Sequence, residues 1–441
     1  MTATRWLTAW ALASVALGGA SLLVPLYVVA LGGGPAVLGL LAASAAFVGA
    51  PGALVVGRIA DRTGRRRVFV LAGIALATAA LVTIPLIESI PLIIVANALL
   101  WFAAGAVAPV LSLMVVSGVP ESRWSDRYAK LNAYQGYGWA AGLVLGVAWT
   151  ALGGRFLPPL AVQQSFFVAC AAAAAAGLLV GLRLLPSDDA VLPSRHARGP
   201  RLARAMAGAR RLNLRGATFP FGFGRLYWTT AAFHPRRFVD RFSATLAIYF
   251  GAVVLFFAGF AAFFAPLPVF LTDAGFDAGA IFGLYLVSSI GAAVAYAPAG
   301  TLSARYDASL LQTVGLSVRG VALPAVAVVG IAFDSTALGL LATGGVFLVI
   351  GIAWAFIAVT AATLVTRIAP ETIRGEALGV YTALSALAGG LGSVLGGWLG
   401  ARSFTLTFAV AGALVLVGAG IVVLVRQRAV LTAPTETVDA A

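Results

Sequence analysis

Long apolar stretches separated by short charged segments run through the whole chain. A helix that spans a hydrocarbon core of about 30 Å needs roughly 20 apolar residues. Charge-free intervals of that order are 6–57, 68–87, 89–120, 131–154, 156–182, 242–272, 278–304, 335–366, 377–401 and 403–425. A further interval, 308–333, is broken only by Arg319. The first interval, 6–57, is long enough for two helices and carries the turn signal Gly32-Gly33-Gly34-Pro35 near its middle. The pattern therefore predicts twelve transmembrane helices.

These stretches favour an all-α fold over a membrane barrel. Barrel strands read as roughly ten-residue segments of alternating polarity, whereas the apolar stretches here are unbroken. Helices also satisfy their backbone hydrogen bonds internally, as lipid demands. The first stretch follows Arg5 and continues through Ala30, which is longer than a signal-peptide core of about 7 to 15 residues. We therefore interpret it as a retained first span.

Composition agrees with a lipid environment. The chain is 61% hydrophobic and 10% charged, with a mean hydropathy of +1.00, whereas soluble domains are about 25% charged. Cys170 is the only cysteine, so the chain cannot build a disulfide framework or a thiolate metal cluster. The sequence contains no phosphate-binding loop, paired-histidine zinc helix or nucleophile elbow. We expect no metal, no cofactor and no enzymatic activity.

The distribution of arginines predicts the orientation of the chain. When the spans are numbered from a cytoplasmic N-terminus, only Arg155 and Arg402 fall on the outer side. This is the positive-inside pattern, and it predicts a protein of the cell (plasma) membrane with both termini in the cytoplasm. The formal charge of +14 is then explained by attraction to anionic lipid. We expect membrane lipid, and not nucleic acid, as the partner of the basic segments.

One extended polar connection, residues 186–241, divides the chain. It separates an N-terminal six-helix bundle, 1–185, from a C-terminal six-helix bundle, 242–425, which is followed by a cytoplasmic tail, 426–441. The linker holds both histidines, which we interpret as solvated or interfacial side chains. Its aromatic residues alternate with arginines, which is typical of a segment in the lipid interface.

Landmarks in the first bundle recur at matching places in the second. Three sets match: 57–64 after span 2 with 300–307 after span 8, 120–122 after span 4 with 370–372 after span 10, and Gly142 and Gly146 with Gly392 and Gly396. Transporters are often built from duplicated bundles. The repeat therefore predicts two similar six-helix units.

The segment 57–67, Gly-Arg-Ile-Ala-Asp-Arg-Thr-Gly-Arg-Arg-Arg, resembles the signature motif of the major facilitator superfamily and sits between spans 2 and 3 as in that family. The resemblance covers the chain apart from the linker and the tail. It implies two six-helix bundles that move a solute by alternating access, and a gating motif in which Asp61 meets the start of span 11. The residues so assigned are Gly57, Asp61, Arg62, Gly64, Arg65 and Arg305, with Gly375 and Glu376 as the helix partner.

By the same resemblance, the solute path is lined chiefly by spans 1, 4, 7 and 10, with help from spans 2, 5, 8 and 11. Aromatic rings with a few amides suit a neutral or amphiphilic organic solute. The candidate substrate-binding residues are Asn97, Trp101, Tyr134, Gln135 and Trp139 in the first bundle and Tyr249, Tyr285 and Trp354 in the second. Helix packing explains each residue alone equally well, so only the set indicates a site.

Three features bear on coupling. Drug-exporting relatives carry an arginine four residues before the glycine of span 4 and a proline in span 5, whereas this chain has Trp101 and Leu143 there. Every acidic residue falls at the edge of a span, so the sequence offers no mid-membrane carboxylate for a proton relay. Arg319 lies inside span 9 and could bind an anionic substrate. Its place in a peripheral helix favours instead a side chain that reaches toward the cytoplasmic face.

These features predict a monomer that moves a small organic solute as a secondary active or facilitative transporter. Proton-coupled efflux of amphiphilic compounds, with protons as a candidate partner, competes with import or facilitated diffusion of a metabolite. An alternative from a different class is a non-transporting membrane receptor or scaffold that acts through the basic linker.

Overall fold

The computed structural model describes residues 5–117, 120, 124–186, 243–333, 335–370 and 373–431, and these residues form helices joined by short connections. Nearly all of the predicted linker and the tail beyond residue 431 lie outside this description. Twelve long helices run through the described ranges: α1 (Leu7–Ala30), α2 (Pro35–Thr63), α3 (Arg66–Thr83), α4 (Ile90–Val116), α5 (Trp124–Gly153), α6 (Pro159–Leu184), α7 (Ala244–Phe264), α8 (Ala278–Arg305), α9 (Ala308–Phe333), α10 (Ala337–Ile368), α11 (Arg374–Gly400) and α12 (Phe404–Leu431). The predicted all-α fold is confirmed.

Most of these helices suit a membrane by length and composition. Within the described residues, 11 helices are long and apolar enough to cross a bilayer, when a short helix, Leu267–Asp273, is counted with α7. The remaining long helix is α5, whose polar first turns and many glycines lower its hydropathy. It packs against α1 as a full member of the first bundle. We therefore count α5 as the twelfth span.

Several helix ends follow directly from local sequence. The side chains of Ser243, Asp277 and Thr336 accept hydrogen bonds from backbone N–H groups in the first turns of α7, α8 and α10. Such caps satisfy N–H groups that have no partner inside the helix. At the other end of a helix, Gly64 stops α2 in a left-handed conformation, with φ of 71°, and its N–H donates to the carbonyl of Ala60. Glycine adopts this conformation without a steric penalty.

Several boundaries differ from the charge-free intervals of the sequence, since α2 continues to Thr63 and α5 begins as early as Trp124. The stretch 242–272 is not one continuous helix, because α7 ends at Phe264 and the short helix begins after Pro266; proline lacks the N–H that would continue the helix. At the C-terminus, α12 continues past residue 425 to Leu431. Arg426 therefore belongs to this helix, where its Nε lies 3.4 Å from Asp307 Oδ2.

The same helix pairings build both bundles. In the first, α1 packs on α5 and α6, α2 on α4, and α3 on α4 and α6. In the second, α7 packs on α11 and α12, α8 on α10, and α9 on α10 and α12. Adding six to each helix number of the first set gives the second. The bundles are therefore built alike, as the repeated landmarks predict.

Glycines permit the closest of these helix contacts. Gly142 of α5 meets the backbone of Val15 in α1, and Gly392 of α11 meets the backbone of Ala258 in α7. Small residues at such crossings let two backbones approach in a membrane. Gly142 and Gly392, which match in the repeat, therefore have the same packing role in their two bundles.

The two bundles meet through α2 with α11 and through α5 with α8. We call the end of the molecule where α1 ends and α2 begins the distal end, and the opposite end, with residues 57–67, the proximal end. Near the distal end Gly39 lies against Gly397. At the same end, α5 and α8 pack closely, because a Cβ added to Gly146 of α5 would lie only 2.5 Å from the Phe282 ring of α8. The bundles are thus closed against each other at the distal end.

Candidate functional site

In the first bundle, Trp101 of α4 and Trp139 of α5 form an aromatic pair. Their ring centroids are 6.1 Å apart and their planes are inclined by 45°. Trp139 is buried, whereas Trp101 and Tyr134, another candidate residue of α5, are only partly buried. Aromatic rings at this separation attract each other through offset and edge contacts. The structure therefore brings two of the predicted residues together as a partly accessible aromatic surface.

The two candidate amides of this bundle have protein partners. Gln135 Oε1 accepts a hydrogen bond from Trp10 Nε1 of α1 at 3.5 Å. Asn97 is buried, and its Nδ2 donates to the carbonyl of Leu41 in α2 at 3.4 Å. Asn97 thus lies in the contact between α2 and α4. Gln135 joins α5 to α1 and keeps a partly exposed side chain.

In the second bundle, Trp354 belongs to a group of packed rings that we call the aromatic cluster: Phe257, Phe260 and Phe264 of α7, Tyr285 of α8, Trp354 of α10 and Tyr381 of α11. Trp354 meets Phe257 and Phe260 edge to face, with centroids 6.3 and 6.0 Å apart. Tyr285 joins through Phe264 at 6.1 Å. Edge-to-face packing is a favoured geometry for aromatic pairs. Two predicted residues, Trp354 and Tyr285, therefore contact phenylalanines on the same face of α7.

Tyr249 is held by hydrogen bonds inside the second bundle. Its side chain is fully buried, and its hydroxyl lies 2.9 Å from Gln312 Nε2, which donates to it. The hydroxyl also lies 3.4 Å from the carbonyl of Ala361 and can donate to that oxygen. One residue thus ties α7 to α9 and α10. Buried polar groups are stable when they are paired in this way.

Arg319 of α9 does not reach toward the lipid interface. It is 1% exposed, and its guanidinium carbon lies 4.1 Å above the Phe260 ring, 5.1 Å from Trp354 and 5.5 Å from Phe264. The sequence expectation of a side chain directed to the cytoplasmic face is therefore wrong. The faces of aromatic rings attract a cation, and the aromatic cluster provides several of them on the inner side of α9.

The surroundings of Arg319 compensate its charge only in part. Cation–π contact contributes about 2 kcal/mol when it is shielded from water. Removing a cation from water costs several kcal/mol, even after the structure relaxes. Within the part of the chain that the structure describes, Arg319 Nε and Nη1 have no hydrogen-bond acceptor. The second bundle therefore contains a buried cation with unused donors beside predicted site residues.

The first gating motif is described only in part. Gly57 is buried in α2, Gly64 ends that helix, and Arg65 is exposed directly after it. Glu376 lies in the first turn of α11. The predicted contact of Asp61 with the start of α11 falls on side chains outside the described ones, as do the side chain of Arg62 and the surroundings of Gly375. The gating role of this motif therefore stays a prediction.

The second copy of the motif binds helices of its own bundle together. Arg305 is exposed in the last turn of α8. Asp307 Oδ1 accepts from the N–H of Ser309 at 2.7 Å and of Leu310 at 3.4 Å, so it caps α9, and Oδ2 pairs with Arg426 of α12. The equivalent place in the first bundle has a similar tie, because Arg67 of α3 donates to the carbonyl of Leu182 in α6.

The environment of Asp307 favours its ionised form. Partial burial acts to raise the pKa of this carboxyl group, but the hydrogen bonds from Ser309 and Leu310 and the charge of Arg426 outweigh it. The net effect lowers the pKa below the ordinary value of 3.8. A carboxylate at the start of a helix also interacts favourably with the helix dipole. Asp307 is therefore a charged cap at neutral pH.

Acidic residues elsewhere keep to the ends of helices or to connections. Within the described ranges, they lie in a connection, at a cap or in the first or last turns. The described residues also contain no group of three or more histidine, cysteine, aspartate and glutamate side chains able to hold a metal ion. Among these residues, the polar side chains buried in the bundles are thus amides, hydroxyls and one guanidinium, that of Arg319.

Sequence reasoning missed six residues of these surfaces: Trp10, Phe257, Phe260, Phe264, Gln312 and Tyr381. The three phenylalanines of α7 in the aromatic cluster recur at spacings of three and four residues, which places them on one helix face. That periodicity was the available signal. Nothing in the sequence pairs Trp10 with Gln135 or Gln312 with Tyr249, because these contacts join helices that are far apart along the chain.

Comparisons with known proteins agree with the helix arrangement. A family model described as Major Facilitator Superfamily matches residues 7–393. The chain is similar to a crystal structure of a mutant of the nucleoside transporter NupG, with 13% identity and a TM-score of 0.73 over 96% of this chain and 100% of that one. A second NupG crystal structure has 14% identity and a TM-score of 0.64, over 98% and 99%. No curated protein sequence matches the chain.

Proposed function

The chain belongs to the major facilitator superfamily and is a membrane transporter, and from that premise we propose that it moves a small organic solute by alternating access between its two bundles. The observation that carries the proposal is the distal closure. Two similar bundles meet through α2, α5, α8 and α11. Among the described residues, α1 and α4 make no extensive contact with α7 and α10 across the bundles. This arrangement leaves those four helices to line a path between the bundles.

We propose that the solute binds between the aromatic surfaces of the two bundles. Trp101 and Trp139 lie on one side, and Trp354 and Tyr285 lie on the other. Rings with a few polar groups suit the binding of a flat organic solute. Gln135 supplies a partly exposed amide beside α1. We assign Tyr249 and Asn97 to helix packing, because both are buried and hydrogen-bonded within their own bundle.

We propose that the proximal end faces the cytoplasm. The arginines of residues 57–67 lie there, in accord with the positive-inside rule. Coupling through a mid-membrane carboxylate is disfavoured, because the acidic residues in the described ranges lie at helix ends or in connections. Facilitated movement down the gradient of the solute is the mechanism that this distribution supports.

A thermal-stability screen followed by counterflow in liposomes tests the function. Purified protein is screened against neutral and charged flat solutes. Nucleosides are included because NupG, whose fold is similar, is named as a nucleoside transporter. The solute that raises the melting temperature is then loaded into liposomes, and exchange of labelled solute is measured. We expect Trp101→Ala and Gln135→Ala to abolish the stabilisation. Trp398→Ala, which removes an exposed tryptophan of α11, serves as the matched control.

Two outcomes decide against the proposal. No exchange or uptake under any ion or solute gradient, together with binding of a partner by the linker 186–241, would establish the scaffold alternative. A change of internal pH that depends on the solute would show proton coupling and would refute simple facilitation.

A further inference from the structure

Arg319 has donors that the described protein does not use. A guanidinium carries five N–H groups in one plane and has no acceptor. The guanidinium carbon lies 4.1 Å above the Phe260 ring, a cation–π contact that provides no hydrogen-bond acceptor of its own to these N–H groups. Nε and Nη1 are buried and lack an acceptor within the described residues. The geometry therefore leaves room in the hydrogen-bonding of Arg319 for an anionic acceptor.

We propose that Arg319 binds the carboxylate of the transported solute, and that a flat apolar part of the same solute lies against the aromatic cluster. The inference rests on the proposed function and narrows its substrate class to flat organic carboxylates. A carboxylate offers two oxygens that accept in parallel from one guanidinium. It also neutralises a charge that ring stacking compensates only in part.

The position of Arg319 suits a ligand that enters from the space between the bundles. The side chain extends from peripheral α9 toward α7 and α10, where Phe264 and Trp354 lie within 5.5 and 5.1 Å of its guanidinium carbon. Phe264 is partly exposed and Trp354 is 8% exposed. These two rings therefore separate the guanidinium from the interior surface. A carboxylate that enters from this space therefore reaches the donors only if one of these rings moves aside.

A matched pair of probes separates charge from shape. Benzoate and benzamide have the same ring and nearly the same size, but only benzoate is charged; 1-naphthoate and 1-naphthamide extend the flat part. Melting temperatures of the full-length protein in detergent are measured against each probe, with sodium chloride at equal ionic strength as a reference. We expect the carboxylates to raise the melting temperature in a saturable way. We expect the amides and chloride to have no such effect.

Substitutions of Arg319 and of a control arginine test whether Arg319 is the side chain that binds the carboxylate. Arg319→Gln should weaken carboxylate binding about 10- to 100-fold, because a charge-assisted hydrogen bond is lost. Arg402→Gln is the control, since Arg402 also stacks on a tryptophan, with its guanidinium carbon 3.6 Å from the ring centre of Trp398, but lies exposed at the distal end. It should bind the carboxylates as the unmodified protein does. Should Arg319→Gln fail to fold, Arg319→Lys keeps the charge without the planar fork and should bind about tenfold more weakly.

Several results would overturn the assignment. These are equal stabilisation by benzoate and benzamide, an equal effect of chloride, no response to any carboxylate, or unchanged affinity in a folded Arg319 variant. Uptake of labelled benzoate or naphthoate into liposomes is measured in parallel. Binding that depends on Arg319 without any uptake would support the anion site and refute transport of these solutes. Uptake of neutral solutes that is insensitive to Arg319→Gln would support the proposed transport function and refute the anion site.

Discussion

Gly39 of α2 and Gly397 of α11 touch backbone to backbone across the two bundles. An ideal Cβ on Gly39 would lie 2.9 Å from the Cα of Gly397, and one on Gly397 would lie 2.8 Å from the Cα of Gly39. Real Cβ atoms essentially never approach other atoms within 3.0 Å. Neither position therefore accepts a side chain unless α2 and α11 move apart. The distal closure depends on the absence of two side chains.

We expect Gly39→Ala to destabilise the closed distal end. The added methyl would lie 2.6 Å from the carbonyl oxygen of Ser393, and overpacking of this kind costs about 1 to 3 kcal/mol. Counterflow should therefore slow about 5- to 100-fold, because the distally closed state becomes a minor one. The rate of counterflow at saturating solute is the measurement.

Gly251→Ala is the matched control for this substitution. An ideal Cβ on Gly251 of α7 meets no atom within 4 Å. The substitution should leave transport unchanged and stabilise the helix by up to about 1 kcal/mol. Equal slowing by both substitutions would show that the distal glycine contact has no special part in the cycle.

A distal disulfide should lock the transporter. An ideal Cβ on Gly400 lies 3.0 Å from the Cβ of Pro35, close to the separation of about 3.5 to 4.5 Å in disulfides. In a Cys170→Ala background, Pro35→Cys with Gly400→Cys should cross-link under mild oxidation, and transport should fall to background. Reduction should restore it, and each single cysteine should be insensitive to oxidant. Full transport by the cross-linked protein would contradict alternating access at this end.

Asp307→Ala should destabilise the C-terminal bundle by about 1 kcal/mol, the usual effect of losing a cap, and the half-exposed pair with Arg426 adds little to this. The lowered pKa of Asp307 sets the sign of the pH dependence. Its ionised form stabilises the fold fully above the ordinary pKa of 3.8, and this contribution is lost as the pH falls below that value.

Melting temperatures of the unmodified protein and Asp307→Ala, measured from neutral pH to about pH 3, test this expectation. The difference between the two should be constant at higher pH and should shrink at the acidic end. A difference that grows on acidification would mean that Asp307 is not held as a carboxylate. Asp277→Ala removes the cap of α8 and is the comparison without the arginine partner.

Tyr249→Phe should reduce stability and leave solute affinity unchanged. The substitution removes the hydroxyl that pairs with Gln312 and leaves a buried amide without this partner, which costs about 1 to 3 kcal/mol. Chemical or thermal unfolding in detergent measures the loss, and the solute dissociation constant is measured on the same sample. A stable variant with weakened solute binding would return Tyr249 to the substrate site.

Much of the architecture could be read from the sequence because lipid acts on simple properties of the chain. Unbroken apolar stretches of sufficient length must become helices, since exposed backbone groups are not tolerated in hydrocarbon. The charge-free intervals therefore located twelve helices, although Pro266 breaks α7 and several helices, among them α2, α5 and α12, extend into the neighbouring charged segments. The glycines spaced four apart in α5 lie at close helix contacts.

The contacts of the candidate site residues were predicted less completely, because helix rotation is hidden in nearly uniform apolar sequences. A helix that is apolar on every side has no stripe to show which face is buried. Trp101, Trp139, Tyr285 and Trp354 do lie on shared aromatic surfaces. The side chain of Asn97, in contrast, donates a hydrogen bond to the carbonyl of Leu41 in α2.

The sequence by itself determined the number of spans, the duplication of the bundles and the side on which the arginines gather, because length, repetition and charge are properties of the chain alone. Only the tertiary structure decided that Arg319 turns inward over Phe260 and that Gly39 meets Gly397. Both contacts join helices from distant parts of the chain. Their existence depends on how each helix is rotated when its neighbours pack, and packing among apolar faces is set by shape, which no local pattern of residues contains.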